Sequence, residues 1–144
     1  MAEHATPDHS IQCVVVTPER ALLDETVDFV ALPMYDGELG VLPGRAALIG
    51  RLGYGELRLR RGNDTRRFFV DGGFAQVRSN VVTVLTPRAL KAEEINPQAA
   101  ADALEAAKAP AATPEAEDVQ LRNQERARAQ LRIAQRERGE STSH

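Results

Sequence analysis

The hydrophobic period of this 144-residue chain changes once, at Pro87, and that change divides it into two architectures. Over residues 11–86 apolar side chains recur at every second position in short runs, and beyond Pro87 they recur at helical spacing. Residues 11–16 are β-branched and stop at the turn pair Thr17-Pro18, and residues 26–32 alternate up to Pro33. Leu57-Arg58-Leu59-Arg60 places both leucines on one face and both arginines in water. Gly62-Asn63-Asp64 turns this run back into residues 66–70 as a hairpin. Residues 72–77 and 81–85 pair in the same way around Arg78-Ser79-Asn80. Short strands at close spacing, with turn signals between them, predict an antiparallel sandwich or barrel.

Past Pro87 the chain is alanine-rich. Asn96 is placed to cap a helix that begins at Pro97, where the missing N–H costs nothing, and Ala100, Ala103, Leu104 and Ala107 share one face. Pro110 and Pro114 interrupt it. A second helix is expected over 115–138, with Glu115, Glu117 and Asp118 in its first turn, where acids suit the helix dipole. Leu121, Leu131 and Ile133 are nearly its only large apolar residues and form no wide stripe. A helix so equipped needs a partner to be stable. Its Arg122, Arg126, Arg128, Arg132, Arg136 and Arg138 allow two readings. They form a solvated face with internal Glu–Arg pairs of about 0.2–0.5 kcal/mol each, or they seek an acidic protein surface, where several pairs add up.

Residues 34–45, Met-Tyr-Asp-Gly-Glu-Leu-Gly-Val-Leu-Pro-Gly-Arg, hold three glycines, a proline and the acids Asp36 and Glu38. Glycine reaches positive φ without steric penalty, so the segment reads as a loop of fixed, unusual shape. A shaped loop without a nucleophile, base or metal-ligand set points to docking. Asp36 and Glu38 read as solvated turn acids in preference to a catalytic carboxylate pair.

Elsewhere the chemistry of an enzyme is missing from the pattern. His4, His9 and His144 fall in expected tails, the serines lack a GxSxG setting, and there is no CxxC or HExxH. No metal site is expected. Gly37, Gly40 and Gly44 precede no GK[ST] and no helix, and Gly72-Gly73 reads as a strand-start bulge. A net charge of −3, from 18 Lys and Arg against 21 Asp and Glu, supplies no basic field for phosphate, so no nucleic acid is expected. The single Cys13 reads as a small buried strand residue in a reducing compartment. The polar stretch 1–10 reads as neither a signal nor a transit peptide, and no window spans a bilayer.

Thr17-Pro18-Glu19 closing the first strand, Pro33 followed by Asp36-Gly37-Glu38-Leu39-Gly40-Val41-Leu42-Pro43-Gly44, then Gly72-Gly73-Phe74 and Asn80-Val81-Val82-Thr83-Val84-Leu85, resemble the epsilon subunit of F-type ATP synthases. The likeness runs from about residue 11 to 138, and the DGELGxLPG block is its most specific part. It implies an N-terminal antiparallel β-sandwich over 11–87 and a C-terminal antiparallel α-helical hairpin over 88–138, between disordered tails at 1–10 and 139–144.

The resemblance further implies a non-catalytic rotor subunit of the central stalk. Such a subunit couples the proton-driven c-ring to the catalytic alpha/beta head through gamma, and restrains ATP hydrolysis with its hairpin. It implies Asp36, Glu38 and Arg45 at the c-ring, and Arg122, Arg126, Arg128 and Arg132 against an acidic segment of the beta subunits. Membrane association is then only through the complex, on the cytoplasmic face of a bacterial plasma membrane.

The chain departs from the family pattern in three places. Arg45 stands where His is frequent, and Ala47 where Pro is usual. The nucleotide-binding run of some bacterial members is degenerate here, with Asn96 for the acid and Ala99 for the arginine, so no nucleotide or other cofactor is expected. A rival from another class is a free-standing β-sandwich ligand-binding module with a helical tail, for which Tyr35, Tyr54 and four Phe are few aromatics. A small hydrolase is disfavoured by the lack of any nucleophile–base arrangement.

Overall fold

The computed structural model describes residues 10–142; His4, His9, His144 and the N-terminal tail up to residue 9 lie outside the described residues. Eight strands, β1 Ile11–Val16, β2 Ala21–Val27, β3 Phe29–Met34, β4 Gly37–Val41, β5 Leu48–Arg61, β6 Asp64–Arg78, β7 Val81–Leu85 and β8 Ala89–Lys91, are followed by a 3₁₀ turn at Ala92–Glu94 and by helices α1 Pro97–Ala107 and α2 Pro114–Thr142. The strands follow one hydrogen-bonded path, β2-β1-β7-β6-β5-β3-β4, with β8 added to β6.

The path doubles into a sandwich because β5 and β6 are long enough to serve both layers. The second half of β6 pairs with β7 through Phe74–Leu85 to Arg78–Val81, and its first half pairs with β8 through Phe68–Lys91 to Val70–Ala89. Between the halves stand Gly72 and Gly73, at φ 76° and 106°. A β-carbon on Gly73 would lie 2.0 Å from the Leu85 carbonyl oxygen, so the bend requires glycine twice over, by conformation and by space. The expected strand-start bulge is thus the mid-strand corner of the sandwich.

The layers close on a core of Ile11, Cys13, Val15, Val77, Val82 and Val84 from one side and Val30, Leu32, Leu57, Leu59 and Val70 from the other. Burying such side chains contributes roughly 1.5–3 kcal/mol each and is the main stabilising term of the domain. The hairpins expected around residues 62–64 and 78–80 form as read, with Arg61 opposite Asp64 and Arg78 opposite Val81. Ser79 and Asn80 both take positive φ, as a two-residue turn between right-twisted strands demands.

Five sequence readings need correction. The sandwich is not wholly antiparallel: β1 and β7 run parallel, because β7 reaches β1 only after the excursion through β2–β6, and no tight turn joins the two. The run 26–32 is two strands broken at Asp28, whose carboxylate accepts the Gly62 N–H at 2.6 Å and whose own N–H donates to the Arg60 carbonyl. The segment 34–45 is not a loop throughout. Its middle is β4, returning on β3 from Met34–Gly37 to Val30–Val41, so only the turn at Tyr35-Asp36 and the stretch from Leu42 to Arg45 are irregular. Gly37 and Gly44 take positive φ, whereas Gly40 sits in the strand, where a β-carbon would lie 3.1 Å from the Phe29 ring.

The sheet also extends past Pro87, since β8 is its last strand. Finally, α2 does not stop at Arg138 but runs through Gly139 to Thr142. One mid-helix glycine costs about 1 kcal/mol, too little to end a helix of this length.

Candidate functional site

The outer face of the second layer carries the hairpin. Tyr54, Glu56 and Arg58 of β5 stand opposite Asp71, Phe69 and Arg67 of β6 in register, and period-2 geometry turns all six to the same side. Phe69 is fully buried there under α2, in a small cluster with Ala92, Ile95, Ala129, Ile133 and Ala134, against which Tyr54 and Leu90 pack. α1 is positioned by Asn96, whose side-chain oxygen accepts the Gln98 and Ala99 N–H groups at 3.0 and 3.1 Å. Thr113 caps α2 by accepting the Ala116 N–H at 3.0 Å. Gln124 of α2 donates to the Ala107 carbonyl at 3.0 Å, which ties the end of α1 to the returning helix.

Charge completes what this thin apolar patch begins. Arg126 donates from Nε to Asp71 at 2.6 Å and lies over the Tyr54 ring at 4.8 Å, and Arg136 donates to Glu56 Oε1 at 2.9 Å. Glu56 is a buried carboxylate. Its other oxygen accepts from Arg58 at 3.1 Å and lies 3.5 Å from Arg67 Nε. Arg58 reaches further, to both oxygens of Glu38 on β4 at 3.2 and 3.4 Å. Burial works against the charge of Arg58, but its hydrogen bonds to Glu56 and Glu38 outweigh that and hold its pKa above the ordinary value. Arg58, expected in water, is therefore a fixed member of this network, whereas Arg60 is exposed as read.

The four arginines assigned to one surface are divided by the fold. Arg122, Arg128 and Arg132 are exposed along α2, and Arg126 is turned inward to Asp71. Asp71, Glu56 and Arg136 were missed as members of the site. The signal for them was the alternation of Glu56 with Tyr54 and Arg58, which places an acid on the outer face of a strand that a basic helix must cover.

Asp36, Glu38 and Arg45 do come together. They line one shallow concavity of about 620 Å³ with Tyr35, Leu48, Ile49 and Arg51. Arg51 lies 4.4 Å from the Tyr35 ring centre, and Tyr35 and Ile49 are 68% and 75% exposed. The Gly44 N–H donates to Asn80 Oδ1 at 2.8 Å, which pins the bend before Arg45 to the β6–β7 turn. Exposed apolar groups stand here beside charges of both signs.

At the positions of the degenerate nucleotide motif, Asn96 is committed to its helix cap and Ala99 presents an exposed methyl. Among the described residues no group of His, Cys, Asp or Glu could hold a metal ion. Nor is any described helix long and apolar enough to cross a membrane.

Comparison with known proteins agrees with this arrangement. Residues 10–92 match the family model of the ATP synthase delta/epsilon chain β-sandwich domain, which ends at β8 as the sheet does. The chain is 55% identical over 126 residues to an ATP synthase epsilon chain of Rhodopirellula baltica, covering 87% of this chain and 98% of the relative. A second epsilon chain, from Nitratidesulfovibrio vulgaris strain Miyazaki F, is 43% identical over 89 residues, covering 62% of this chain and 66% of that one. Among solved structures, a chain of the Euglena gracilis mitochondrial ATP synthase, resolved with OSCP, F1 and the c-ring, superposes with a TM-score of 0.70 at 26% identity, covering 98% of this chain and 86% of that one. A chain of the Tetrahymena thermophila central stalk and c-ring, at 16% identity and a TM-score of 0.67, shares the fold. With a sandwich, a helical hairpin and a relative matched over nearly its whole length, the chain belongs to the epsilon-chain family of ATP synthase, whose members are non-catalytic stalk subunits.

Proposed function

We propose that this subunit couples a proton-driven c-ring to the catalytic alpha/beta head through gamma, and that its hairpin restrains ATP hydrolysis. The observation that carries the second part is how α2 is held. It rests on the sandwich through Ala129, Ile133 and Ala134 over Phe69, plus the Arg126–Asp71 and Arg136–Glu56 pairs. Small apolar contacts, and ion pairs whose arginines are partly exposed, leave docked and undocked forms only a few kcal/mol apart. Arg122, Arg128 and Arg132 are exposed in the docked form and free to meet an acidic surface once the helix leaves.

Asp36, Glu38 and Arg45 form the c-ring-facing surface in this reading, which is supported by their sharing one exposed concavity. Attachment to the membrane is through the complex, on the cytoplasmic face of a bacterial plasma membrane, in keeping with its bacterial relatives. A free-standing ligand-binding module is disfavoured by the match over 98% of an epsilon chain.

The test is a truncation in the reconstituted enzyme, placed after Glu94 so that β8 and the sheet stay intact. ATP hydrolysis should rise while the truncated subunit still assembles and proton pumping stays coupled. Unchanged hydrolysis would remove the inhibitory role and leave the coupling role standing.

A further inference from the structure

The ion pairs under the hairpin form a continuous chain from β4 to α2. Glu38 is bonded to Arg58 in a two-toothed fork, Arg58 to Glu56 at 3.1 Å, and Glu56 to Arg136 at 2.9 Å. Glu38 borders the exposed concavity with Asp36 and Arg45, whereas Arg136 fastens the helix. We propose that Glu38 and the hairpin are energetically coupled through Arg58 and Glu56, so that a cationic partner surface engaging Glu38 loosens α2.

The mechanism is competition for one carboxylate. Glu56 is the middle of the chain and is buried, so its two oxygens have little water to fall back on. Arg58 now divides its hydrogen bonds between Glu38 and Glu56. When Glu38 turns to another cation, the remaining ion pair of Arg58 is with Glu56, and its guanidinium draws on the carboxylate that Arg136 uses. The second cation at Glu38 also adds repulsion toward Arg136 across the same low-dielectric face.

By linkage the effect is reciprocal: a docked Arg136 holds Glu38 in the sheet and weakens its engagement elsewhere. The two-state element that such coupling requires is the hairpin itself. The inference therefore rests on the reading that the hairpin undocks. The hydrogen-bonded route from Glu38 to α2 runs through Arg58 and Glu56, beside the direct Coulomb effect across the same face.

The full-length chain tests this by amide hydrogen exchange in α2, around residues 126–137, in the wild type, Glu38→Gln, Arg136→Gln and the double variant. Glu38→Gln should speed α2 exchange about two- to fivefold, the range of partly exposed ion pairs. In the Arg136→Gln background the same substitution should add nothing. Unchanged exchange in Glu38→Gln, or the same factor in both backgrounds, overturns the coupling while leaving a mobile hairpin intact. If α2 exchanges in every variant only as slowly as β1 and β7, the hairpin does not open by itself, and both the coupling and the switch it rests on are lost.

Discussion

The guanidinium of Arg126 stands 2.6 Å from the Asp71 carboxylate and 4.8 Å from the centre of the Tyr54 ring, so a single side chain of α2 grips both long strands of the sandwich. Asp71 is the last residue of β6 before the glycine corner, and its N–H is held by the Thr86 hydroxyl at 3.2 Å and by the Arg88 carbonyl at 3.1 Å. The grip is therefore on a rigid point.

Neutralising it should free the hairpin without unfolding the domain. Asp71→Asn keeps the shape but removes the charge-assisted part of a bond worth about 1.5–3 kcal/mol when half-buried. We expect a loss of about 1–2 kcal/mol from docking, and so a rise of roughly 5- to 30-fold in the open population. Limited trypsin digestion reads this directly, because Arg122, Arg128 and Arg132 become cleavable as α2 opens. Cleavage at the wild-type rate would show that the pair does not hold the helix.

The corner itself should be the least tolerant position in the sandwich. Gly73→Ala brings a methyl to 2.0 Å from the Leu85 oxygen at a φ of 106°, and the opposing atom is backbone. A loss of about 3 kcal/mol or more is expected, enough to unfold a marginal domain. Gly44→Ala has positive φ but open space, and should cost only about 1 kcal/mol. Urea midpoints of the two variants check the contrast, and equal midpoints would contradict the close approach of β6 to β7.

Cys13 makes the fold sensitive to alkali. Its thiol is fully buried, and burial, with Glu25 adding to it, pushes its pKa from 9.0 up to about 12. The unfolded chain loses this proton near pH 9 while the folded chain keeps it. The unfolded state thus binds fewer protons, and stability falls as pH rises between about 9 and 12, at up to about 1.4 kcal/mol per unit. Below pH 9 the contribution is complete. Cys13→Ala should be less stable at pH 7 because a buried atom is lost, yet show a shallower decline above pH 9. Parallel declines in the two proteins would refute the assignment.

The division of the chain was legible because alternation and helical spacing are properties of local sequence, and they part within a few residues of Pro87. The cap at Asn96 was legible for the same reason. What escaped was set at a distance: the break at Asp28 depends on Gly62, the parallel pairing of β7 with β1 joins strands far apart in the chain, and β8 is a strand only because the first half of β6 needs a partner. The site followed the same rule. Asp36, Glu38 and Arg45 are near in sequence and do share one concavity. The acids that receive Arg126 and Arg136 lie 55 and 80 residues away, where only the folded sandwich brings them within reach.

While α2 is docked Glu38 is paired with Arg58, and Asp36, Arg45 and Arg51 are the other charges that line the concavity. Arg45 is exposed and follows a bend pinned by the Gly44–Asn80 hydrogen bond, which gives its backbone a fixed place without burying the side chain. Reversing that charge should disturb a partner contact and nothing else in the subunit. In the reconstituted enzyme, Arg45→Glu is expected to stay bound through the sandwich yet lower ATP-driven proton pumping severalfold, while the isolated protein keeps its wild-type urea midpoint. Pumping at the wild-type level with the variant bound would move the ring-facing surface away from the concavity. A shifted urea midpoint would mean that Arg45 serves the fold instead of a partner.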